Sequence, residues 1–372
     1  MTLKERIVSL IAAQGPVSVA QYMTMALHDP QGGYYATRDP FGASQPGKLG
    51  GDFITAPEVS QMFGEMLGLW LAQAWLEQGC PKRPVLMELG PGRGTLMADM
   101  LRALKAMPDF LGGLDVVLVE ASPHLRRVQE ETLKNSGVSI RWQNSFDAEA
   151  GRPLFLVANE FFDALPIRQY VKTSRGWCER MVTARDGDLH FALAPSPAPS
   201  ALIPENRAGA PEGGVYESAP SAIALAEAIA AQIEAHGGAA LLVDYGYAGP
   251  GFGETLQAVQ DHRFADPLSN PGEADLSAHV DFTALGEAGL RGGAGVHGPV
   301  GQGGLLTALG IGARAASLAA RHPASRDALQ AALVRLTEPS AMGTLFKAMA
   351  FLPGAAATAP GFDTAGAAHA AA

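Results

Sequence analysis

The stretch VLMELGPGRGTL, residues Val85 to Leu96, decides the fold class. Val85 to Glu88 reads as a short, mostly apolar strand. Gly90, Gly92 and Gly94 read as a turn, and Thr95 opens a helix. A strand that runs through a glycine-rich turn into a helix N-terminus is how a doubly wound α/β sheet builds a nucleotide-type site. Glycine allows a sharp turn there and lets a ligand approach the main chain without meeting a Cβ. The spacing is G-x-G-x-G, not the G-x-G-x-x-G of a pyrophosphate-binding turn, and the carboxylate of Glu88 stands two residues before it. A carboxylate in that place repels a phosphate and suits a cation. The turn therefore points to S-adenosylmethionine, which carries a sulfonium and an ammonium. The bland alternative is a tight turn with no ligand.

Composition narrows the partners. The chain has 372 residues, 47% of them hydrophobic, enough for one large domain or two modest ones. Only 17% are charged, and 44 Gly with 26 Pro imply extensive loops. A net charge of -10 argues against nucleic acid as the main partner, because phosphate backbones are bound by basic faces. Cys80 and Cys178 fit neither a disulfide framework nor a cysteine-rich metal site. His262 and His279, with Asp266, Asp275 and Asp281, match no compact ligand spacing, and no metal is expected. No apolar stretch is long enough to span a bilayer, so no stable membrane insertion is expected. Met1 to Gln14 lacks the parts of a signal peptide, and the expected location is the cytoplasm.

Outward from the glycine turn, strands are expected over 116–120, 138–142, 154–158 and 240–243, with helices over 95–107, 125–133 and 219–235. That alternation implies a parallel sheet. Its strands end at polar residues, Glu88, Glu120, Asn144, Glu160 and Asp244, and such sheets bind ligands beyond their C-terminal strand ends. Glu120 is expected to accept both ribose hydroxyls, since a carboxylate offers two acceptor oxygens and no donor. The plain alternative for Glu120 is a solvated strand end. Asn144 and Ser145 are placed to meet the adenine edge, and Glu88 with the backbone of 90–94 would hold the methionine part. Asn159-Glu160-Phe161-Phe162-Asp163 follows the 154–158 strand, where an acceptor would stand. Glu160 and Asp163, with Asn159 beside them, could fork a guanidinium and take the proton lost on methylation. Asp163 could equally cap a turn before Pro166.

Elsewhere, helices are expected over 3–13, 19–27 and 62–76, with a long loop over 28–51. Thr55 and Glu58 have capping-box spacing, with Pro57 in the first turn. Residues 168–193 read as antiparallel strands around Asp186-Gly187-Asp188, and 249–278 as irregular. Helices follow over 282–288, 305–320 and 324–336, then a last strand over 344–351. The organisation expected is a helical and loop lid over 1–80, a core over 81–353 with insertions near 168–215 and 249–280, and a disordered Ala/Gly-rich tail over 354–372.

Longer segments carry a resemblance. GGYY at 32–35, GDFITAPEVSQMFGE at 51–65, ELGPGRGTLMADMLR at 88–102, NEFFDALPIRQ at 159–169, ETLQAV at 254–259, ADLSAHVDF at 274–282, GPVGQGGLLTALGI at 298–311 and MGTLFKAM at 342–349 resemble the MidA-like family. These are S-adenosylmethionine-dependent methyltransferases whose mitochondrial members assist complex I assembly. The resemblance implies a Rossmann-like class I methyltransferase core. It also implies symmetric dimethylation of an arginine in the complex I subunit equivalent to the mitochondrial 49-kDa protein. Carried over by motif, Gly90, Gly92, Gly94 and Glu120 bind the cofactor, and the GDFIT segment, above all Asp52 and Thr55, closes over it. The chain departs from the family pattern at Gly253-Glu254, where an acidic GD-type pair is expected before TLQ. A non-catalytic assembly chaperone that keeps the fold and a small-molecule methyltransferase remain as alternatives, and a dinucleotide oxidoreductase fits the glycine spacing poorly.

Overall fold

The computed structural model describes residues 1–37, 55–260, 262–354 and 358–362. Asp52 lies outside the described residues, as do 355–357 and 363–372 of the tail expected to be disordered. The chain divides into two compact units. One gathers Ile54–Phe162, Ile223–Tyr247 and Val280 onward, and the other gathers Met1–Phe53, Asp163–Ala222 and Ala248–His279.

Among the described residues the sheet of the first unit has eight strands, the two-residue Val280–Asp281 beside the end of β5 and seven along its main path: β1 (Val85–Leu89), β2 (Asp115–Val119), β3 (Ile140–Gln143), β4 (Leu154–Asn159), β5 (Gly238–Tyr247), β6 (Gly295–Gly301) and β7 (Phe346–Leu352). Their order across the sheet is β6-β7-β5-β4-β1-β2-β3. The pairs from β5 through β3 are parallel, and β7 runs antiparallel between β5 and β6. β1 and β4 are buried at every position, which explains their nearly unbroken apolar runs. The strand order reverses between these two, so a crevice at their C-terminal ends is the expected ligand position. The Rossmann-like core read from the sequence is therefore present. β6 was not foreseen, because its HGPVG segment carries neither alternation nor an apolar run.

Helix α1 (Gln61–Glu77), read from the sequence as part of the N-terminal segment, packs in this unit against α2 (Thr95–Leu104). A Cβ on Gly64 would lie 2.7 Å from the Asp99 Cβ, so the two helices meet more closely than a larger residue would allow. α2 ends at Leu104 rather than near Met107, and Pro108 starts a separate short helix. The single helix expected over 305–320 is two helices, Gln302–Ala308 and Ile311–Arg321, broken where Gly310 takes a φ of 87°. Part of the expected disordered tail also packs. Ala359 and Phe362 are buried in the core, the Phe362 ring stands edge-on to Trp70 at 6.0 Å, and Trp70 Nε1 donates to the Pro360 carbonyl at 2.9 Å. One aromatic with a partner outweighs the small-residue composition around it.

In the second unit, helices Leu3–Gln14 and Val19–His28 each begin with a capping box, Thr2 with Glu5 and Ser18 with Gln21. Strands Val17–Ser18, Arg168–Thr173, Gly176–Arg185, Asp188–Leu193 and Val215–Ser218 form an antiparallel sheet. Asp186 and Gly187 turn its hairpin with φ of 53° and 86°. The stretch 249–278, expected to be irregular, holds a small sheet of Gln257–Gln260, Arg263–Ala265 and Asp275–Ser277. Its entry is pinned by buried Glu217, which accepts from the amides of Thr255 at 3.0 Å and Leu256 at 3.3 Å and from Gln169 Nε2 at 2.7 Å. Strands this short show almost no period in sequence.

Because Phe362 is buried against Trp70, Phe362→Ala should lower stability by about 3 kcal/mol. Urea unfolding that matches the parent would return this part of the tail to the disordered class.

Candidate active site

The glycine turn after β1 has the backbone that its composition implies. Gly90, Gly92 and Gly94 take φ of 62°, 53° and 81°, a region that residues with a Cβ rarely enter. Gly90 meets a second demand, since a Cβ there would stand 2.8 Å from the Phe161 ring. The segment after β4 therefore lies directly against the turn.

One side chain organises the neighbourhood. Gln129, on helix α3 (Pro123–Leu133), is fully buried. Its Nε2 donates to the Gly92 carbonyl at 2.8 Å and to Glu120 Oε2 at 3.2 Å, and its Oε1 accepts from Trp142 Nε1 at 2.8 Å. The turn, the end of β2 and the strand β3 are thus fixed to one amide. Glu120 also accepts from the Ser122 amide at 2.7 Å. Burial raises the Glu120 carboxyl above its ordinary value, against the lowering effect of those donors and of Arg126. Arg126 Nε reaches the Glu120 carbonyl at 2.8 Å, and its Nη2 reaches Asn144 Oδ1 at 2.8 Å. The structure brings Gly92, Glu120 and Asn144 into one network. Ser145 is exposed at the bend that follows.

Gln129 was not singled out from the sequence. Its signal is there: Leu125, Gln129 and Leu133 form the buried stripe of α3, so an uncharged polar residue occupies the apolar face of an amphipathic helix.

Two buried oxygens test whether S-adenosylmethionine fits. Among the described residues, Glu88 Oε2 and Asn159 Oδ1 are buried without a hydrogen-bond partner. Glu88 pairs with Val157 and Leu89 with Ala158, so Asn159 continues the row that contains Glu88 on one face of the sheet. Both oxygens are acceptors with no donor supplied by the protein, and an ammonium offers three donors. A phosphate offers none, so the pair fits the cationic cofactor. Burial pushes the Glu88 carboxyl up to about 8, opposed by the Met97 amide and reinforced by Asp99.

At the end of β4, Glu160 sits in left-handed backbone, with φ of 49°. Its Oε1 accepts from the Ala56 amide at 3.1 Å and from Asn159 Nδ2 at 3.2 Å. Buried Asp244, on β5, accepts the amides of Phe161 at 3.1 Å and Phe162 at 2.9 Å through Oδ2, which holds the turn. Asp163 follows in the 3-10 turn Phe162–Ala164 and is buried in the second unit, where its carbonyl accepts from the Ala278 amide at 2.9 Å. The capping box expected of Thr55 and Glu58 is not formed. Thr55 precedes the one-turn helix Ala56–Val59 but makes no side-chain cap bond, and the Glu58 carboxylate, the other arm of such a box, accepts from Thr95 Oγ1 at 2.6 Å.

The model of a family described as S-adenosyl-L-methionine-dependent methyltransferases matches residues 66–300. The chain belongs to this methyltransferase family. It is similar, at 36% identity over 93% of its length, to the mitochondrial protein arginine methyltransferase NDUFAF7 of Danio rerio, 86% of which is covered. The human protein of that name is 35% identical over 92% of this chain and 81% of its own length. A crystal structure from Burkholderia thailandensis bound to S-adenosylhomocysteine superposes with a TM-score of 0.84 at 32% identity, covering 97% of this chain and 94% of that one. The cofactor of this methyltransferase is S-adenosylmethionine.

Gly92→Val places a branched side chain in left-handed backbone at the centre of the turn. It should weaken S-adenosylmethionine binding about tenfold or more while the domain stays folded. Unchanged affinity by calorimetry would move the site elsewhere. Glu88 makes a pH prediction. A carboxyl raised by burial favours the fold while protonated, so its contribution is complete below about 4.5 and is lost as pH rises through about 8. Glu88→Gln should therefore gain melting temperature relative to the parent between pH 5 and pH 9. A pH-independent difference between the two proteins would contradict this.

Proposed function

We propose that this methyltransferase modifies a protein arginine, adding two methyl groups symmetrically, and that its substrate is the complex I subunit equivalent to the mitochondrial 49-kDa protein. The cytoplasm is the proposed place of action. The observation that carries this reading is Glu160, a carboxylate held in left-handed backbone at the end of β4, beside the ring that covers Gly90. The names of the relatives support the same acceptor class.

S-adenosylmethionine supplies an electrophilic methyl group when bound. The protein's own contribution is positioning, which accounts for much of the rate in such transfers. Glu160 draws a guanidinium and orients one of its nitrogens. The Glu160 carboxylate would take the proton that this nitrogen loses as its new N–C bond forms, the sulfur–methyl bond breaks and S-adenosylhomocysteine is left. Asp244 keeps the Glu160 turn in place through the two amides that follow it. Asn159 Oδ1, buried on the Glu88 face, is assigned to the cofactor rather than to the acceptor.

The test is to incubate the protein with methyl-labelled S-adenosylmethionine and the complex I subunit, then map the label by mass spectrometry. Label on one arginine is expected, absent with Gly92→Val and reduced about a hundredfold in rate with Glu160→Ala. Cofactor binding without any label on that subunit would overturn the substrate assignment.

A further inference from the structure

Residues 55–59 make two contacts that the methyl-transfer reading does not use. The Ala56 amide donates to Glu160 Oε1 at 3.1 Å, at the end of β4. Two residues on, Glu58 Oε1 accepts from Thr95 Oγ1 at 2.6 Å. Thr95 is the first residue of α2 and follows Gly94 directly, while the turn begins at Gly90 under the Phe161 ring, one residue beyond Glu160. The short segment thus runs from one end of the glycine turn to the other. Ala56 and Pro57 are buried and anchor it, whereas Glu58 is exposed.

We propose that residues 55–59 form a two-point latch across the glycine turn, with Glu58 and Thr95 as positioning residues whose contact sets how fast the spent cofactor leaves. The two arms differ in strength. The Ala56–Glu160 bond is partly buried, where a broken hydrogen bond costs more than at the surface. The Glu58–Thr95 bond is exposed, and water replaces it at small net cost. The exposed arm therefore opens first, and Ala56 remains as the pivot. This assignment depends on the cofactor site and not on the identity of the acceptor.

Dissociation of tritiated S-adenosylhomocysteine, chased with unlabelled compound, tests the latch with no acceptor present. Thr95→Val removes the hydroxyl at nearly constant shape, and Glu58→Ala removes its partner. Each should speed release about twofold to fivefold, as expected for loss of one exposed hydrogen bond. The double variant should release no faster than either single one, because both remove the same contact. Thr95→Ser, which keeps the hydroxyl, should restore the parent rate, and the melting temperature without cofactor should stay constant across the series. Release that accelerates in Thr95→Val but not in Glu58→Ala would mean that the hydroxyl meets the cofactor directly, and would overturn the latch. So would additive effects in the double variant, or parent-like release in both single ones.

Discussion

The cofactor end of the sheet depends on one buried amide. Gln129 has three polar partners that belong to three different segments: the glycine turn, the end of β2 and β3. Without that amide, the Trp142 N–H and the Gly92 carbonyl lose the partner it gives them, and an unsatisfied buried group costs about 1 to 3 kcal/mol. The larger consequence is geometric. Glu120 can present its oxygens in one direction only because Gln129 and the Ser122 amide hold each of them from behind. A strand end that could have been a solvated carboxylate becomes an oriented acceptor, and the same side chain fixes the turn beside it.

The sheet was largely legible in sequence because its central strands are buried on both faces. Val85–Leu89 and Leu154–Asn159 read as apolar runs for that reason. The glycine turn was legible because positive φ at three alternate positions has few other solutions. What escaped was structure whose signal lies outside any local window. β6 is paired with the distant β7, and the small sheet of 257–277, whose strands pair with one another, is held at its entry by Glu217; neither shows a period in sequence. The Thr55–Glu58 spacing matched a capping box, yet the Glu58 carboxylate bonds Thr95, 37 residues away. A spacing rule sees only the near partner.

The site was legible by residue type more than by role. Glu88, Glu120 and Glu160 are read from the sequence as polar residues at strand ends and Asn159 as part of the acceptor segment, and all four stand at or within one residue of the C-terminal end of a strand. Their division of labour came from what touches them. Glu120 is held by donors from the protein, Asn159 and Glu88 keep an acceptor oxygen buried without one, and Glu160 is engaged by the Ala56 amide. Asp163 belongs to the other compact unit, so chain proximity to Glu160 conveyed its neighbourhood but not its packing. Gln129 escaped because an uncharged residue on an apolar stripe resembles a tolerated imperfection until its three partners are known.

Glu88 shows how burial and cation binding can coexist. A carboxyl pushed up to about 8 is mostly protonated at neutral pH, and in that state it attracts no cation. Ionising it at pH 7 costs about 1.4 kcal/mol, since one unit of pKa corresponds to that amount. A unit cation would work against that cost, since opposite charges at about 4 Å and an effective dielectric near 20 attract by about 4 kcal/mol before the cation's own desolvation is counted. A carboxyl buried in this way would ionise for a positive ligand and stay protonated beside a neutral one. The second oxygen of Glu88, which has no donor among the described residues, is the atom that such a ligand would meet.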